Sequence, residues 1–182
     1  MTTWLFRPFT YIAGGKALLA GWIIMLITAV AAYFSGTHFD GAIDSHATWT
    51  TPYYHYLLEP LIAWLDTVII CYVAARIFSK SSFRLIDLAG TFALARAPLL
   101  IVALINFAMP VVKTPADITP QAMAIGLIVI PFTGWMLVLL YHAFSISTNL
   151  KGNKAVIIFI SALLVAEILS KILFPLLFPL LH

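Results

Sequence analysis

Residues 84–108 read RLIDLAGTFALARAPLLIVALINFA, a long apolar run holding one arginine and one proline in its middle. At about 1.5 Å per helical residue it reaches roughly 37 Å. A hydrocarbon core of about 30 Å needs roughly 20 apolar residues, so the run is long enough to cross a bilayer. The rest of the chain agrees. Of 182 residues, 63% are apolar and 9% charged, and the mean hydropathy is +1.04. A soluble domain of this length needs far more polar surface, so the composition predicts a membrane protein whose first partner is the lipid bilayer.

Four further segments meet the same length requirement: 14–36, 57–79, 122–146 and 155–178. The expected fold is therefore all-α, a single transmembrane domain over residues 1–182 with five spans. Arg7 and Lys16 flank the first span, but it exceeds the usual signal-peptide core and no A-x-A site follows, so it reads as a retained anchor. The lone Cys71 lies in an apolar run and reads as a small buried hydrophobe.

Basic residues set the expected orientation. Arg7, Lys16, Arg76, Lys80, Arg84, Lys151 and Lys154 fall on one side, and Lys113 on the other. The positive-inside rule then predicts a cytoplasmic N-terminus and an exterior C-terminus in the cytoplasmic (inner) membrane. The net charge of +3 belongs to these connections. No basic run with interleaved aromatics supports nucleic-acid binding.

Ionisable groups inside spans need a partner or a cavity. In a symmetric hairpin turning near Ser81, Asp66 and Arg96 each lie 15 positions from the centre. That places both about 22 Å along their helices and predicts a buried Asp66–Arg96 ion pair. Arg76 and Asp87 match in depth nearer the turn. Glu59 shares a helix face with Asp66. Glu167 and Lys171 are four apart, a spacing that predicts an intrahelical pair. Pro98 and Pro131 are expected to kink their helices.

The stretch THFDGAIDSH, residues 37–46, concentrates His38, Asp40, Asp44 and His46 beyond the end of the first span. These ligand types suit Zn²⁺ or a similar divalent cation, although no established spacing matches. Asp40-Gly41 is ordinary turn chemistry, and Asp44 with Ser45 suits the cap of a short interfacial helix. Trp49, Tyr53, Tyr54 and Tyr56 fit an aromatic belt. The competing expectation is thus an exterior loop anchored at the interface, without metal or any other cofactor.

Small residues recur every four positions at Ala13, Ala17 and Gly21, and at Ala89, Ala93 and Ala97. Such stripes let helices approach closely, within one chain or in a homo-oligomer. Enzyme signatures are wanting: no H-E-x-x-H, no paired glutamates, no G-x-S-x-G and no activated cysteine occur. A non-enzyme is expected.

RPFTYIAGGKALLAG at the start, THFDG in the first connection and SKSSFRLIDLAGTFALARAP across the second resemble a bacterial member of the Yip family (Ypt-interacting-protein-like membrane proteins). The resemblance covers nearly the whole chain and implies a compact five-helix membrane module. Eukaryotic relatives engage Rab-type GTPases through a sizeable cytosolic segment. About a dozen residues precede the first span here, so that role is not carried over. The resemblance implies no catalytic residues. The expected function is a membrane-organising scaffold with an unidentified protein partner. The alternative is a small transporter or channel around Asp66 and Arg96, and a weaker one is a metal-dependent enzyme at the outer loop.

Overall fold

The computed structural model describes residue 5 and residues 8–47, 51–110 and 118–177. Among the described residues, five helical segments are long and apolar enough to cross a membrane: Gly14–Ser35, Tyr53–Phe78, Leu85–Ala108, Pro120–Thr148 and Gly152–Leu177. They correspond to the five segments expected from hydropathy. Trp49 and Lys113 lie outside the described residues.

The first span is helix α1 (Gly14–Ser35) and the second is α2 (Tyr53–Phe78). The third divides into α3 (Leu85–Ala95) and α4 (Pro98–Ile105), continued by a 3-10 turn at Asn106–Ala108. The fourth and fifth are α5 (Pro120–Thr148) and α6 (Gly152–Leu177). Helix α2 starts before residue 57, and Pro60 lies in its interior.

Pro98 interrupts the third span as expected. It has no N–H to give Leu94, and the chain around it turns to tighter bonds: Ala97 N–H to the Leu94 carbonyl at 3.1 Å and Leu99 N–H to the Arg96 carbonyl at 3.0 Å. At Pro131, α5 continues through the proline without interruption. A free carbonyl one turn earlier is tolerable where neighbouring helices and local adjustments accommodate it.

The third span is the centre of the bundle. Its best 18-residue window is 67% buried, against 22–39% for the others. Helix α3 packs on α1, α2 and α5, while α6 lies mainly along α2. The small-residue stripes explain the tightest of these contacts. A Cβ on Gly21 would stand 2.5 Å from the Ala93 carbonyl carbon, and one on Gly90 would stand 2.3 Å from the Gly14 carbonyl oxygen. Only glycine permits that approach. Ala17 and Ala93 are fully buried, so much of the predicted stripe is used within the chain.

At one end of the bundle, the turn side, the short connections 79–84 and 149–151 are laced together. Ser79 Oγ donates to the Thr148 carbonyl at 2.8 Å, and Asn149 Nδ2 to Ser81 Oγ at 3.1 Å. The opposite end, the loop side, carries the connection beginning at Gly36.

Candidate functional site: the loop-side polar cluster

Helix α1 stops where Gly36 takes a left-handed conformation (φ 64°) and returns its N–H to the Ala32 carbonyl. Thr37–His38 then pairs antiparallel with His46–Ala47, with His38 opposite His46. These strands, β1 and β2, close a hairpin whose tip is pressed into the bundle. Phe39 and Ala42 are buried there. The expected cap at Asp44 and Ser45 does not form, because β2 follows instead of an interfacial helix. The stretch is thus a plug on the helices and more than a connection.

Polar groups from three spans hold the hairpin. Arg96, released at the α3–α4 break, donates through Nη2 to the Gly41 carbonyl at 3.0 Å. Glu167 on α6 accepts the Ile43 N–H at 2.8 Å. Its two carboxylate oxygens would lie 2.8 Å from a Cβ at residue 41, so the hairpin tip sits close against this carboxylate. Lys171, one turn on, reaches Asp44 at 2.6 Å and Asp40 at 3.2 Å. Asn106 Nδ2 donates to Thr37 Oγ1 at 3.0 Å.

His38 sits deeper. Its Nδ1 is 2.8 Å from Glu59 Oε2, and its Nε2 is 2.7 Å from Thr51 Oγ1. His55 approaches the same carboxylate at 3.3 Å. Tyr56 packs on the His38 ring at 4.3 Å between centroids and is itself buried, so it belongs to this core and not to an aromatic belt. Tyr53, 74% exposed, does fit the belt.

Several expected pairings change. Asp66 and Arg96 form no ion pair: Asp66 Oδ2 and Arg96 Nε are both buried without a hydrogen-bond partner. Arg96 instead lies in the field of two carboxylates, Glu167 and Asp66, while its guanidinium bonds the hairpin backbone. Glu167 and Lys171 do not pair either, because both turn outward from α6 to the hairpin. Asp87 pairs with Arg84 at 2.9 Å, and the Arg76 guanidinium stands over the Tyr72 ring at 5.9 Å.

The proposed metal ligands also divide. Asp40, Asp44 and His46 present atoms within 4.8 Å of one another, but His38 is committed to Glu59 and Thr51. The Lys171 ammonium already bridges Asp40 and Asp44. A divalent ion would have to displace it, so the set fits an internal tether better than a metal centre. Burial would raise the Asp40 pKa, yet His46 and Lys171 outweigh it and hold the carboxyl at about 2. His46 is raised, first by Asp40 beside it at 3.2 Å against its own burial, then by the fields of Asp44 and Glu59.

These two shifts define a pH window. A histidine raised in the folded state stabilises fully below its unfolded value of 6.5, and loses that contribution as pH rises through the folded pKa. Asp40 stabilises above 3.8 and loses its contribution as pH falls through about 2. The hairpin is therefore held best between about pH 4 and 6.5. In thermal melts from pH 5 to 9, the gap between wild type and His46→Gln should narrow as pH rises. A constant gap would remove His46 from the tether.

The Yip1 domain model matches residues 3–172 of the chain. No curated protein matches it, and no solved structure does.

Proposed function

This chain belongs to the Yip1 domain family, and on that premise we propose that it is a non-catalytic scaffold of the cytoplasmic (inner) membrane. The N-terminus lies in the cytoplasm and the C-terminus outside, as the distribution of basic residues supports. The observation that carries the reading is the use made of the charges within the spans. Arg96, Glu167, Lys171 and Glu59 all serve to fasten the 37–47 hairpin, by bonds to its backbone or its side chains. Groups spent on fastening a loop hold one conformation. A mostly helical bundle closed by a fastened hairpin suits a module that organises lipid or a protein partner around itself. Any homo-oligomer would meet through faces other than the filled α1–α3 contact.

One feature favours transport as a second reading: the unpartnered Asp66 Oδ2 and Arg96 Nε, the kind of intramembrane polar atoms that mark ion pathways.

The two readings separate by accessibility. In a Cys71→Ser background, Asp44→Cys and Asp66→Cys are treated with a membrane-impermeant maleimide on right-side-out and inverted vesicles. The scaffold reading expects labelling at position 44 from the exterior alone, and at position 66 from neither side. Labelling at 66, in protein that still elutes as a single species, would replace the scaffold with a transport pathway. Labelling at 44 from the cytoplasmic side would reverse the orientation.

A further inference from the structure

Between α2 and α6, in the half of the bundle nearer the turn side, a groove of about 750 Å³ opens along the surface. That volume lies within the range of ligand sites, about 300–1,000 Å³. Ala74, Ser161 and Ala162 leave it wide, and larger residues such as Ile70 and Ile157 wall it. On α6 it runs from Lys154 to Val165. Eleven residue steps at about 1.5 Å give roughly 16 Å, the depth of one leaflet in a hydrocarbon core of about 30 Å.

The mouth of the groove carries its only ionised group. Lys154 Nζ donates to the Phe78 carbonyl at 2.9 Å, where α2 ends. An ammonium has three donors, so two remain for a ligand. Arg76, Lys80, Arg84 and Lys151 belong to the same side, whose one acid in these turns, Asp87, is engaged by Arg84.

We propose that this groove binds one acyl chain of an anionic phospholipid, with the lipid phosphate on Lys154. The length of the groove fits a single chain of one leaflet, and apart from Ser161 and Lys154 its lining is apolar. The charge at its mouth selects the headgroup. A basic side chain at the membrane surface is worth a preference of about fivefold for an anionic lipid. The site is independent of whether the bundle acts as a scaffold or a transporter.

The test is native mass spectrometry of purified, delipidated protein titrated with phosphatidylglycerol or phosphatidylcholine. Wild type should retain one phosphatidylglycerol about fivefold more strongly than phosphatidylcholine. Ser161→Phe projects a ring into the groove from an exposed position and should abolish retention of both while the protein stays monodisperse. Lys154→Gln should keep the lipid but lose the preference, and Lys154→Arg should restore it. Equal retention of the two lipids by wild type would overturn the proposal, as would undiminished phosphatidylglycerol on Ser161→Phe. A wild-type dimer that Ser161→Phe dissolves would assign the groove to a second copy of the chain and overturn it too.

Discussion

Replacing Gly90 by leucine is expected to leave little folded protein, and Gly21→Leu to do nearly the same. A Cβ at residue 90 would lie 2.3 Å from the Gly14 carbonyl oxygen and 2.9 Å from the Leu18 nitrogen. At residue 21 it would lie 2.5 Å from both the Ala93 carbon and the Leu94 nitrogen. All of these obstacles are backbone, which cannot swing aside as a side chain can. Overpacking ordinarily destabilises by about 1–3 kcal/mol, and separating two helix backbones exceeds that range. The control is Gly134→Leu on α5, where a Cβ meets nothing within 4 Å. Its effect should stay within about 0.5 kcal/mol. Thermal unfolding in detergent measures all three. If Gly90→Leu melts with wild type, α1 and α3 do not meet as described.

The second large effect concerns Arg96. Arg96→Met removes the donor to the Gly41 carbonyl and leaves Asp66 and Glu167 facing each other without a cation. Stripping the partner from buried charge destabilises by about 3–5 kcal/mol. Asp66→Asn alone should be neutral or slightly stabilising, because its carboxylate accepts nothing at Oδ2 and Arg96 keeps Glu167. The double variant should recover part of the Arg96→Met loss by removing one of the two facing acids. A simple Asp66–Arg96 pair predicts the reverse for the single change: Asp66→Asn would then be as damaging as Arg96→Met. Chemical unfolding of the three variants decides between these patterns through the sign of the coupling.

The spans and their small-residue stripes were legible because both follow from side-chain type and spacing alone. Twenty apolar residues cross a bilayer wherever they occur, and residues four apart share a helix face. That Asp66 and Arg96 lie within each other's electrostatic reach was legible for the same reason. Their partners were not. Arg96 bonds a backbone carbonyl and Glu167 a backbone N–H, groups every residue carries, so composition gives no hint of them. Lys171 had a carboxylate four residues away and took two from 127 and 131 residues distant. Rotamer direction decides that choice, and spacing does not contain it. Thr37 and Asn106 went unnoticed, since a threonine and an asparagine at span ends usually face the interface. The one available signal for the plug was Gly41, at the centre of the acidic stretch.

The origin of the hairpin's fastenings bears on how the protein is made. The hairpin follows the first span in the chain, but Glu167 and Lys171 belong to the fifth. Helices α1 and α3 can seat Gly21 and Gly90 as soon as both are inserted. The hairpin, by contrast, stays half-tethered on Glu59 and Arg96 until α6 is in place. Its closure is therefore a late event in biogenesis, and a chain arrested before residue 167 would expose residues 37–47 to proteases and to membrane quality control.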